Sequence, residues 1–153
     1  MKIMEFLSTK AVTAHLKSTT KEEIIRELIE LLHAAGGIQD KEEIIKAVLA
    51  RESLGSTGIG QGVGIPHAKS NSVGKLIAAF GLAPKGVNFD SLDGEPAYIF
   101  FLLVAPEDSA GPHLKALARI SRMLKDKYFR DMLKKAKDEK EILHIIANED
   151  AKN

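Results

Sequence analysis

Cysteine does not occur in the 153 residues. Disulfides, a thiolate nucleophile and thiolate metal ligands within this chain are therefore excluded. An excess of one charge is also missing. The formal net charge is +1, so no global field draws in nucleic acid or an anionic membrane. The longest apolar run, Ala97 to Ala105, is half of the roughly 20 residues that a membrane-spanning helix needs. Met1 to Phe6 lacks the apolar core of a signal peptide. A cytoplasmic location is expected. Glutamine is scarce, with Gln39 and Gln61 alone, against plentiful lysine and glutamate. That balance leans toward thermophile composition.

What is present reads as an ordinary globular domain, 44% hydrophobic and 28% charged, long enough for a sizeable core. No repeat or linker interrupts it, so one domain over residues 1–153 is expected. Val12 to Lys17 reads as a short strand. Thr20 with Glu23 makes a capping box, followed by an apolar face of Ile24, Ile25, Leu28, Leu31, Leu32 and Ala35 that ends at Gly36-Gly37. Asp40 with Glu43 repeats the start signal for a helix reaching toward Gly55. A strand is expected near Val63, then buried strands at Leu76–Leu82 and Tyr98–Val104, with a turn at Asp93-Gly94. Helices follow from Ser109–Gly111, from about Tyr128 to Lys135, and from Asp138 onward. The buried stripe of the first of these is expected at Leu114, Leu117, Ala118, Ser121 and Leu124. The fold class is α/β, of the layered α+β kind: a mixed, mostly buried sheet flanked by helices on both faces.

The segment Gly58-Ile59-Gly60-Gln61-Gly62-Val63-Gly64-Ile65-Pro66-His67 is the most informative. Alternating glycines admit unusual backbone angles and close approach. Pro66 fixes its own φ and pushes Ile65 toward an extended form. His67 should then stand on a stiff strand end beside an open, side-chain-poor surface where partners dock. The spacing fits neither a P-loop nor a dinucleotide fingerprint. His15, His33 and His144 lie where a surface or structural role suffices, His33 at a helix end that favours a cation. The basic stretch from Lys125 to Lys140 contains interleaved acids and reads as a solvated helix face rather than a nucleic-acid site.

The same residues resemble the active-site motif of the type-2 (fructose/mannitol class) enzyme IIA domains of the bacterial sugar phosphotransferase system. That motif runs from an acidic or amide residue, here Glu52, through Ile59-Gly60 to aliphatic-Ala-aliphatic-Pro-His-small, here Val63-Gly64-Ile65-Pro66-His67-Ala68. Gly64 departs from the usual alanine. The resemblance extends over nearly the whole chain. It implies that Nε2 of His67 accepts a phosphoryl group from the phosphocarrier HPr and passes it to a cysteine of an enzyme IIB domain. It places a second histidine, here His113, beside the first to orient it and hold the phosphoryl group. Arg51 is the candidate for stabilising phosphoryl charge through a bidentate contact. Ser56 and Thr57 are candidate hydroxyl donors, and Glu52 is a surface or orienting residue.

A neutral imidazole, with an ordinary pKa of about 6.5, is a competent nucleophile at pH 7. Phosphoryl transfer then needs positioning and charge stabilisation rather than a cofactor or metal. Association with a membrane permease is expected, without insertion. A second reading is a nitrogen-related regulator of the same family, whose His67 phosphorylation state controls binding to target proteins. A metal-dependent hydrolase using His67, His113 and a carboxylate lacks a second ligand at short metal-type spacing.

Overall fold

Two long apolar strands set the frame. The computed structural model describes residues 1–153. Numbered in chain order, these two are β5 (Ile77–Val87) and β6 (Ala97–Ala105), paired antiparallel around the turn at Ser91–Gly94. Every side chain from Ile99 to Ala105 is fully buried. Alternation sends Ile99, Phe101 and Leu103 into one core, and Phe100, Leu102 and Val104 into the other. A strand covered on both faces has no polar side to show, so its sequence reads as one apolar run.

The remaining strands are short: β1 (Leu7–Thr13), β2 (Gly58–Gly60), β3 (Val63–Gly64) and β4 (His67–Lys69). The sheet order is β1-β5-β6-β3-β2, and β4 also pairs with β6. β3 and β4 lie along the same edge of β6, both parallel to it. They are one strand interrupted at Ile65-Pro66, and the Leu103 N–H still donates to the Pro66 carbonyl at 3.0 Å.

Helices α1 (Lys21–Ala34) and α2 (Lys41–Glu52) cover one face. Thr20 and Asp40 cap them as their sequences require, accepting the N–H groups of Glu23 at 3.3 Å and Glu43 at 3.2 Å. Helices α3 (Ala110–Met123), α4 (Lys127–Lys135) and α5 (Glu139–Lys152) cover the other. Helices thus flank a mixed sheet on both sides.

Two expectations need correction. The first strand begins at Leu7 rather than Val12 and ends at Thr13. It is an edge strand whose exposed Thr9 and Lys10 mask its periodicity while protecting the edge. The buried face of α3 is His113, Ala116, Arg119, Ile120 and Met123. Leu114 and Ala118 point to solvent instead. Polar residues occupy the inward face here, so a pattern read from apolar residues alone was rotated by about one position, or 100°.

Candidate functional site

The four alternating glycines build a hairpin rather than an open surface. β2 and β3 pair antiparallel around Gln61 and Gly62, whose φ angles of +58° and +80° are both positive. That is the twist-compatible turn for a two-residue connection. The Asp93 carboxylate accepts the Gln61 N–H at 2.9 Å and pins the turn. Gly58, Gly60, Gly62 and Gly64 are all buried. Gly64 leaves room for Phe100, because a Cβ there would lie 2.9 Å from two ring atoms. The departure from alanine is thus filled by a neighbouring aromatic ring. The expected bare docking surface around the loop is not there.

Just beyond the interruption, His67 opens β4. Val63 and Ile65 face the α3-side core, whereas Ala68 faces the α2 side. Alternation therefore aims His67 toward α3. There it meets His113, ring centroids 5.5 Å apart and planes at 89°. The sequence separation of the two residues gave no sign of this contact beyond the family resemblance.

Within two residues, the backbone fixes the His67 ring. Its Nδ1 lies 2.8 Å from the Ile65 carbonyl oxygen. A carbonyl can only accept, so Nδ1 carries the proton and donates it, and Nε2 keeps its lone pair. Burial lowers the His67 pKa below the ordinary imidazole value; the Ile65 carbonyl works against this, and Arg51 adds to the lowering. The ring is neutral at pH 7.

His113 is more deeply held, at 5% exposure. Burial, then the neighbouring His67 and Lys69, push its pKa down to about 4. Its Nε2 is buried with no hydrogen-bond partner. Such an orphan is uncommon in a folded protein and calls for a reason.

Both histidines line a groove of about 930 Å³ together with Arg51, Lys69, Leu54 and Leu114. Arg51 closes the last turn of α2 and donates from Nη1 to the Gly55 carbonyl at 3.0 Å. Leu54 is 84% exposed and Leu114 68%. These two, on the loop after α2 and the outer face of α3, supply the apolar ground that the sequence reading assigned to the glycines. Their signal was visible as leucines beside otherwise polar neighbours, but nothing local tied them to His67.

Ser56 and Thr57 do not line this groove. Ser56 Oγ donates to the Phe89 carbonyl at 2.8 Å and accepts the Gly58 N–H at 2.9 Å. Thr57 donates its hydroxyl to Glu52 Oε2 at 2.7 Å and its N–H to Glu52 Oε1 at 2.9 Å. Glu52 is itself buried and pairs with Lys21 at 3.1 Å. It is an internal strut that holds the start of β2 against α2, not a surface residue. Two donors from Thr57 and one ammonium satisfy the carboxylate, which is how a buried charge is tolerated. No group of three His, Asp or Glu side chains is arranged to hold a metal ion. No helix is long and apolar enough to cross a membrane.

The arrangement suits one kind of chemistry. A backbone carbonyl holds the proton away from Nε2, and a second imidazole and two cations border the space in front of it. Such a site suits a histidine that acts as a nucleophile toward an anionic electrophile. The chain belongs to the phosphoenolpyruvate-dependent sugar phosphotransferase system EIIA 2 family, whose model matches residues 5–149. It is 41% identical over 98% of its length to the fructose-specific EIIABC component of Bacillus subtilis, and spans 24% of that protein's length. It is 35% identical over 96% of its length to a nitrogen regulatory protein of Bradyrhizobium diazoefficiens, 95% of which it covers. Among solved structures, nitrogen regulatory protein IIA-Ntr from Neisseria meningitidis superimposes with a TM-score of 0.87 at 30% identity, covering 94% of this chain and 98% of that one. The Escherichia coli complex of enzyme IIA mannitol with phosphorylated enzyme IIB mannitol gives 0.78 at 25% identity, covering 91% of this chain and 95% of that one. Members of this family are phosphotransferase components.

Proposed function

We propose that the chain, acting as one domain, is a cytoplasmic phosphoryl carrier of the fructose/mannitol class. Nε2 of His67 attacks the phosphorus of phosphorylated HPr. A P–N bond forms on His67 as the donor's P–N bond breaks, and the electron pair returns to the donor imidazole. A cysteine thiolate of a IIB domain then attacks the same phosphorus, forming a P–S bond and returning the electron pair to Nε2. No cofactor enters either step.

One observation carries this reading. The Nδ1–H of His67 donates to the Ile65 carbonyl at 2.8 Å, which leaves Nε2 as the nucleophile without help from a base. A phosphoryl group on Nε2 gives the orphaned Nε2 of His113 the partner it lacks. Arg51 still has guanidinium donors beyond the one given to Gly55. Ser56 and Thr57, whose hydroxyls serve Phe89 and Glu52, brace the framework rather than the phosphoryl group.

The test is intact-mass measurement after incubation with phosphoenolpyruvate, enzyme I and HPr. One acid-labile phosphoryl adduct is expected on the wild type and none on His67→Ala. A full-rate adduct on His67→Ala sinks the assignment.

The near full-length match to a nitrogen regulatory protein favours a second reading, in which the phosphorylated or free state of His67 controls binding to a target protein. Phosphoryl transfer from the charged chain to a purified IIB domain separates the two. Fast transfer supports the carrier. A long-lived adduct that no fructose- or mannitol-class IIB domain discharges supports the regulator.

A further inference from the structure

A second pocket lies at the far end of β6 from His67. His67 pairs with Leu103, and Tyr98 stands five residues earlier on β6, roughly 17 Å away at about 3.3 Å per residue. The pocket encloses about 360 Å³, within the range of roughly 300–1,000 Å³ typical of small-molecule sites. Its floor is apolar and buried, formed by Ala14, Leu82 and Ala136. Tyr98 is a wall, and Lys134 and Lys137 stand on the rim.

The wall is preset. Gly86, at φ +76°, lacks the Cβ that would meet the Tyr98 ring at 2.8 Å, so the ring packs against bare backbone. Lys134 Nζ sits 4.9 Å from the ring centroid. Neither Lys134 nor Lys137 belongs to any ion pair, whereas Lys127, about two helical turns before Lys134, is tied to Asp131. No carboxylate lines the pocket, and the His15 side chain is among its lining residues. Glu141, four residues after Lys137, accepts the Lys137 backbone N–H at 3.2 Å.

Apolar floor, aromatic wall and unpaired cations define a ligand with two parts. We propose that this pocket binds a small organic anion, a carboxylate or phosphomonoester on an apolar or aromatic body. The body rests on Leu82 and Tyr98, and the charge meets Lys134 and Lys137. An inorganic anion would leave the floor unused. A neutral hydrocarbon would leave two ammonium groups unpaired. The proposal stands whether His67 serves transport or regulation.

The test titrates the isotopically labelled full chain with phenyl phosphate, benzoate and inorganic phosphate, followed by NMR. Either aryl anion is expected to give saturable shifts at Ala14, Leu82 and Ala136, and which one binds better identifies the head group. Inorganic phosphate should bind at least about ten-fold more weakly, and Lys134→Met with Lys137→Met should weaken the aryl anion by about ten-fold or more. His67→Ala should leave its affinity unchanged. Affinity weaker than about 1 mM for both aryl anions overturns the proposal. So do shifts that cluster on the His67 groove and vanish in His67→Ala, or equal affinity in the lysine variants.

Discussion

Helix α1 buries Ile24, Ile25, Leu28, Ile29 and Leu32 and nothing polar. Helix α3, of the same length on the opposite face, buries His113 and Arg119 among Ala116, Ile120 and Met123. The buried face of the first helix is held by displaced water, its polar contacts lying outside that face, as in the Lys21–Glu52 pair. The second also buries two polar side chains, and each has a separate task. Arg119 donates from Nη2 to Asp150 Oδ1 at 2.7 Å and to the Asp150 carbonyl at 2.9 Å. Met4 donates its N–H to Asp150 Oδ2 at 2.9 Å. These bonds lock α3 to α5 and the chain's start. One and a half turns earlier on α3, His113 faces His67. A polar residue on a buried helix face therefore marks either a lock or a site, and partners tell which: Asp150 is satisfied, whereas His113 Nε2 is not.

Breaking the lock should give the largest effect on stability. Arg119→Leu leaves a buried carboxylate without its counter-charge and is expected to cost about 3–5 kcal/mol in urea unfolding at pH 7. Leu28→Ala on the opposite face should cost about 2–5 kcal/mol through its cavity. The comparison sharpens with pH. Burial raises the Asp150 pKa, but the Met4 N–H, Arg119 and the Ile3 N–H outweigh it, so the carboxyl sits below its usual 3.8. A depressed carboxylate contributes stability above the unfolded pKa and loses it as pH falls through the folded one. The gap between wild type and Arg119→Leu should therefore narrow below about pH 4, while the Leu28→Ala gap stays level. A level gap for both would show that Arg119 acts by packing. Arg119→Leu combined with Asp150→Leu should recover most of the loss.

A middle-sized effect tests how tightly the α1 side is filled. Gly64→Ala places a methyl 2.9 Å from the Phe100 ring and should cost about 1–3 kcal/mol. In a Phe100→Leu background the added cost should shrink. If it does not, backbone strain rather than the ring explains the glycine.

The α1 face was legible in sequence because caps and period agree: Thr20 with Glu23 opens the helix and Gly36-Gly37 closes it. α2 and α5 followed from the same signals, with Asp138 accepting the Glu141 N–H at 2.8 Å. The α3 face was not, because hydrophobic periodicity assumes apolar residues point inward, and His113 and Arg119 reverse that locally. The Arg119–Asp150 pair joins residues 31 apart, and neither residue carries a mark of its partner. Glu52 looked like a helix-end surface acid; only the fold folds Thr57 and Lys21 over it. Strand order was closed to sequence for the same reason, since β6 gathers β5, β3 and β4 through contacts that no local pattern encodes. The place of His67 at a strand end was legible because its constraint is local: the glycines and Pro66 lie within ten residues of it.

The smallest stability change belongs to His113, and it separates lock from site most cleanly. His113→Leu replaces one side chain by an apolar one of similar volume, which should move stability by less than about 1.5 kcal/mol at pH 7. With the folded pKa held down to about 4 against an ordinary 6.5, the unfolded chain takes up a proton that the folded one refuses. Wild-type stability contributed by this group is complete above about 6.5 and falls as pH drops toward about 4. His113→Leu should flatten that slope in unfolding measured between pH 7 and pH 5. Phosphoryl transfer should respond differently. A hydrogen bond to a charged group contributes about 1.5–3 kcal/mol, so the rate of transfer to and from His67 should fall roughly ten- to a hundred-fold. A variant that folds as well as wild type yet transfers slowly places His113 in the site. One that transfers at the wild-type rate would leave its buried, unpartnered nitrogen with no chemical task, and α3 would differ from α1 only in how it is locked.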